Sequence, residues 1–300
     1  MSAQDIRIKV LTHLAYEFRK TEPELSFNII EIGAVPVGDK KEPFHLLIDL
    51  FPGTQINAFE VDEEICANLN QSSPVGFKFH AVALGRREEE RTFHITNNPI
   101  CSSLNKPNEK LIDRYNGFEL TKLKSTTTIK TESLDYFTSN NHIHGVDFIK
   151  LDIQGAELEV LMGGEHTLKD VISIISEVEF VPQYESQPLF GDVCNYLASK
   201  RLDFHKFLGI GGRTLKPYIL NNDPYFSTQQ IWSDAVFLRS MDELPQLSSA
   251  QLLKIASIAL IYNSMDVTAF YLAEYDKRNN TQLIYEFQST LNTLVSSNHN

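Results

Sequence analysis

The stretch "FIKLDIQGAELEVLMGG" (residues 148–164) opens as a short apolar run, meets Asp152, turns at Gly155 and continues with Leu158, Leu161 and Met162 at helical spacing. A buried strand that passes through a glycine turn into a helix is half of a β-α-β unit. The acid at the junction is the unusual part. An ionised carboxylate has no place in a core, so at a strand end it must be solvated or bonded to something.

The same punctuation repeats upstream. "SFNIIEIGA" (26–34) reads as a buried strand ending at a glycine, and "EPFHLLIDLFPG" (42–53) as a helix stopped by Pro52 and Gly53. "QINAFEVD" (55–62) is a second strand, "DEEICANLN" (62–70) a second helix with Asp62 as its N-cap, and "FKFHAVALG" (77–85) a third strand. The order β-α-β-α-β predicts a parallel sheet with right-handed crossovers. Further strands are expected at "RTFHIT" (91–96), "STTTIKTES" (125–133), "VISIISEVEF" (171–180), "DFHKFLG" (203–209) and "QIWSDAVFLR" (230–239). A short helix starts at Ser133, and "LFGDVCNYLASKR" (189–201) is another. The mixed run "RREEER" (86–91) reads as a solvated hairpin tip.

Residues 4–21 carry a helical apolar face, so 1–26 is an N-terminal helix, 27–240 an open α/β domain and 241–300 a helical appendage. One copy of helical-hairpin spacing in that appendage does not establish a repeat. Its expected place is as a helix pair on the sheet domain or on a second subunit, the latter making a homo-oligomer.

Composition narrows the function classes. The net charge of −12 argues against a nucleic-acid backbone as partner. No apolar run approaches the roughly 18–20 residues that cross a bilayer, and the start lacks a signal-peptide core, so a cytoplasmic protein is expected. Cys66, Cys101 and Cys194 are scattered and form no metal-binding pair. No metal is expected.

In open parallel sheets, ligands bind beyond the carboxyl ends of the strands. Here those ends carry Glu31, Gly33, Ala34 and Gly38 in "EIGAVPVG", then Glu60 and Val61, then Ala81 and Val82, then Asp152. An acid ending the second strand can accept both hydroxyls of an adenosine ribose. A pyrophosphate would want a glycine-rich loop of N–H donors. This loop instead contains Pro36 and no GxGxxG. Adenosine without phosphates is thus the expected ligand, which points to S-adenosylmethionine. A nicotinamide dehydrogenase fits poorly for the same reason.

The segment "VDFIKLDIQGAELEVLMGG" (146–164), with "ISIISEVEF" (172–180) and "IWSDAVFLR" (231–239) downstream, resembles the FkbM-type family of S-adenosylmethionine-dependent methyltransferases. The family pattern strand–Lys-x-Asp-x-Glu-Gly-x-Glu–helix is matched by Lys150, Asp152, Gly155 and Glu157. "HAVALG", the Ser102–Ser103–Leu104 element and "FVPQYESQPLF" (180–190) also fit. The resemblance implies a class I methyltransferase, a Rossmann-like open sheet with its last strand antiparallel, and O-methylation of hydroxyls on sugars or natural products. Two departures stand out: Gln154 where the family has Glu, and a longer glycine loop.

Asp152 is the expected general base, with a helix cap as its structural alternative. Ser103, Gln154, Glu179 and Tyr184 are candidate acceptor contacts, Glu157 is expected to be structural, and His80 and His205 to be half-buried strand residues. The departures also motivate a different reading, a degenerate methyltransferase fold used as a docking module.

Overall fold

The computed structural model describes residues 3–34 and 41–296. Gly38 and Pro36, singled out above, lie outside the described residues. Helix α1 (Ala3–Thr21) leads into strand β1 (Asn28–Ile32). A 3-10 turn (Pro43–His45) runs into α2 (Leu46–Leu50), followed by β2 (Gln55–Glu60), α3 (Glu63–Ser72) and β3 (Phe77–Ala81). Asp62 caps α3, its carboxylate accepting the Ile65 N–H at 2.9 Å.

An excursion follows: β4 (Ala83–Gly85), β5 (Glu89–Thr96), the single-turn α4 (Glu109–Ile112) and β6 (Leu123–Ser133). Ser133 caps α5 (Leu134–Asn140), and the chain continues through β7 (Phe148–Leu151), α6 (Glu157–Met162), β8 (Ser173–Glu179), α7 (Phe190–Ser199), β9 (Leu202–Phe207) and β10 (Trp232–Arg239). Three helices close the chain: α8 (Ser249–Ile261), α9 (Met265–Asn279) and α10 (Leu283–Ser296).

The main sheet has seven strands in the order β3-β2-β1-β7-β8-β10-β9. Strand β10 is antiparallel to both neighbours, while the pairs from β3 to β8 are parallel. The mixed α/β architecture and its antiparallel last strand are those expected.

Three details differ from the sequence reading. The stretch 77–85 is two strands, because the Val82 N–H turns to the carbonyls of Glu60 and His80 and sends β4 into a separate three-stranded sheet, ordered β4-β6-β5. The charged run 86–91 is therefore no hairpin tip: β4 and β5 both pair with β6, and Arg91 reaches Glu159 of α6 at 2.7 Å. The tail holds three helices where a pair was expected. Asn280, at a left-handed φ of 54°, ends α9, and Asp276 accepts the N–H groups of Leu283 and Ile284 to start α10.

Alternation along the strands divides the sheet into two faces. One face presents Ile29, Ile56, Phe148, Ile175 and Val236 to α1, α2 and the C-terminal helices, with Leu14, Leu253, Leu260 and Tyr271 in the same core. The other presents Ile30, Phe59, Ile149, Leu151, Ile174 and Phe237 to α5, α6 and α7. Among the described residues, no helix is long and apolar enough to cross a membrane.

Candidate active site

The register of the sheet gathers the polar groups. Glu31 stands opposite Lys150, and Glu177 opposite Asp234, so these pairs share a face. That face is the one covered by α1, α2 and the tail. Toward the carboxyl ends of the strands its apolar packing gives way to charge. Lys150 is buried, yet its Nζ lies 2.8 Å from Asp234 Oδ1 and 3.8 Å from Asp152 Oδ2. Burial opposes the ammonium charge, but the two carboxylates outweigh it and hold the amine above its ordinary pKa. Buried Glu31 meets His45 Nε2 at 2.8 Å.

A cleft of about 1580 Å³ opens here, lined by Glu31, Gly33, Glu42, Lys150, Asp152 and Asp234, among other residues. Gly33 has φ +80°, and a Cβ there would stand 1.9 Å from the Asp152 carbonyl oxygen. The glycine is thus required for β1 and β7 to end side by side.

The turn from Asp152 to Glu157 is built by side chains. Glu157 folds its buried carboxylate back to accept the N–H groups of Ile153 at 2.9 Å and Gly155 at 2.9 Å. Burial raises the Glu157 pKa to about 7 in spite of those bonds. Asp152 caps nothing: the N-cap of α6 is Ala156. Its Oδ1 instead accepts from Gln154 Nε2 at 3.1 Å. The same amide nitrogen donates to Glu177 Oε2 at 2.7 Å, and Gln154 Oε1 accepts from the Tyr184 hydroxyl at 3.1 Å. Gln154 sits at φ 63°, a left-handed conformation that costs a non-glycine residue on the order of 1 kcal/mol and persists where the surroundings fix it.

This network explains why an amide suits position 154. A third carboxylate between Asp152 and Glu177 would repel both, whereas the amide donates to each. Burial and the neighbouring acids, Asp152 first among them, push Glu177 well above the usual carboxylate range. Burial, then Glu157, does the same to Glu179.

The remaining candidates fall into groups. Ser103 is buried, donates to the Gln154 carbonyl at 2.8 Å and accepts from the Asn105 N–H, so its one hydrogen is already committed. Tyr184 is buried and also bonds the Cys101 carbonyl. Glu179 is buried beside this network with Oε1 lacking a partner, as does Gln187 Nε2. Ser103 and Tyr184 thus support the turn through their bonds to Gln154.

Ala34 packs with Ala58 and Phe79 and also lines the cleft. Glu60, Val61, Ala81 and Val82 stand at the ends of β2 and β3, outside the residues that line it. Glu60 Oε1 accepts the Asp62 N–H at 3.1 Å. His80 bonds Asn57 and is depressed by burial to about 4, and His205 bonds Ser264, as expected of strand histidines. Sequence reasoning missed His45, Glu42, Asp234 and Tyr262. Only Asp234 left a readable signal, an acid inside the apolar alternation of "WSDAVF".

Residues 31–206 match the family model described as the methyltransferase FkbM domain. The chain is 24% identical over 196 residues to the 2-O-methyltransferase NoeI of Sinorhizobium fredii (strain NBRC 101917 / NGR234), a stretch covering 62% of this chain and 77% of that one. A solved structure of an uncharacterized protein from Burkholderia thailandensis aligns over 99% of this chain and 77% of its own at 11% identity, but its TM-score of 0.23 carries no argument. Strand order, the acid-bearing turn after β7 and a family match over more than half the length agree: the chain belongs to the FkbM methyltransferase family.

Proposed function

We propose that the protein is an S-adenosylmethionine-dependent O-methyltransferase whose acceptor is a hydroxyl on a sugar or a similar natural-product-like small molecule. The observation that carries this reading is Asp152. It is a strand-end carboxylate on an open cleft, its side chain 43% exposed, with an ammonium on one side and a donating amide on the other. The 2-O-methyltransferase activity in the name of the relative supports a hydroxyl acceptor.

The residues present fit the cofactor. Glu31, Glu42, Asp152 and Asp234 line the cleft, a donor set suited to a cation and ill suited to a phosphate. When bound, S-adenosylmethionine supplies a methyl group on a cationic sulfur. Asp152 would take the proton from the acceptor hydroxyl as the methyl group leaves the sulfur for the oxygen, a task worth about 10²–10⁴ in rate. Lys150 and Gln154 hold that carboxylate in place. Alignment of the reactants supplies roughly 7–11 kcal/mol.

On the acceptor side, the guanidinium of Arg213 lies 4.1 Å over the Tyr225 ring and 4.7 Å over Trp232. Exposed Tyr218 and Tyr225 offer flat faces suited to a sugar ring. A side-chain-filled cleft would favour the docking-module reading; among the described residues a cleft is present.

The test is methyl transfer from labelled S-adenosylmethionine to a panel of glycosides. A base-stable methyl ether is the expected product. Absence of calorimetric heat with both S-adenosylmethionine and S-adenosylhomocysteine would overturn the reading.

A further inference from the structure

We infer that the C-terminal helices complete the cofactor site, with Tyr262 at the end of α8 contacting the amino-acid end of the S-adenosylmethionine proposed above. Tyr262 lies beyond residues 31–206, the part of the chain that carries the family match. It nevertheless lines the same cleft as Glu31 and Asp152. It is only 9% exposed, and its hydroxyl is buried with no hydrogen-bond partner among the described residues. A buried hydroxyl normally finds a partner, and the described residues supply none. The missing partner is assigned to a ligand.

The surroundings say which part of the ligand. Glu42, Asp234 and Glu31 line the same cleft as Tyr262, so three acids share its surroundings. The adenosine half of the cofactor is neutral, whereas the other half carries an ammonium, a carboxylate and the cationic sulfur. A corner rich in carboxylates suits the charged half. Those carboxylates take ammonium N–H groups. The phenol oxygen can accept another, and its own hydrogen is available to the ligand carboxylate.

The corner is also held in place. Lys206 of β9 donates to the carbonyls of Tyr262 and Asn263, and His205 pairs with Ser264 at 2.8 Å. Asn263, at φ 60°, turns the chain sharply between α8 and α9. The phenol is thus presented by a fixed turn, and little ordering remains to be done on binding.

This inference rests on the cofactor reading, and one experiment separates the two. Calorimetry compares wild type and Tyr262→Phe with S-adenosylhomocysteine and with methylthioadenosine, which lacks the amino-acid end. The variant is expected to bind S-adenosylhomocysteine about tenfold more weakly and methylthioadenosine equally well. The melting temperature of the free protein should stay level or rise, because only an unpartnered oxygen is removed. Unchanged affinity for S-adenosylhomocysteine overturns the inference, as does an equal loss for both ligands. A wild type that binds neither overturns the cofactor reading itself and takes this inference with it.

Discussion

Leu151 and Asp152 are consecutive residues with opposite surroundings. Leu151 is fully buried in the core under α5, α6 and α7, while Asp152 faces the cleft on the other side of the sheet. The first face is dry as far as the strand ends. On the second, the apolar packing stops short, and Lys150, Asp152, Glu177 and Asp234 occupy the remaining space. The pleat that buries one residue delivers its neighbour to the cleft, so a single register decides both core packing and cleft lining.

The largest expected effect tests the polar side alone. Asp152→Asn should lower methyl transfer by about 10²–10⁴ while leaving the melting temperature nearly unchanged. Comparable turnover in the variant would remove Asp152 from its role as base. The neighbouring change should do the opposite: Leu151→Ala is expected to cost about 2–5 kcal/mol in urea unfolding. Turnover per folded molecule should be largely kept. If it fell as steeply as in Asp152→Asn, the two faces would not be separable.

The acids themselves make the polar side sensitive to pH. Burial raises Glu157, Glu177 and Glu179 above their unfolded values, so each favours folding while protonated. Stability should therefore fall as pH rises from about 4.5 through about 7, by on the order of 3 kcal/mol for Glu157. Denaturant midpoints across that window check the sign, and Glu177→Gln should flatten the slope. The smallest effect is expected at the rim of the turn. Ser103→Ala should cost about 1 kcal/mol through the lost bond to the Gln154 carbonyl, with S-adenosylhomocysteine affinity unchanged by calorimetry.

Most of the fold was legible because β1, β2, β7 and β8 end at or beside a glycine or an acid, and α3, α5 and α8 carry their own caps. The break after Ala81 was not, because it depends on where the Val82 N–H finds a carbonyl, which alternation cannot reveal. For the site, Asp152 could be read from its place at the end of an apolar run. The groups that gather around it could not. Asp234 reaches Lys150 from 84 residues further along the chain, and His45 meets Glu31 from a segment whose sequence signals only packing. Tyr262 lies in a stretch whose apolar spacing signals only core packing, although the residue also lines the cleft.

Gln154 has a consequence for how this turn responds to acid and base. A glutamic acid there could donate only while protonated, and then to a single neighbour. The carboxamide keeps both its hydrogens at any ordinary pH, so the donating half of the clasp on Asp152 and Glu177 does not titrate, and only the accepting carboxyls respond to acid and base.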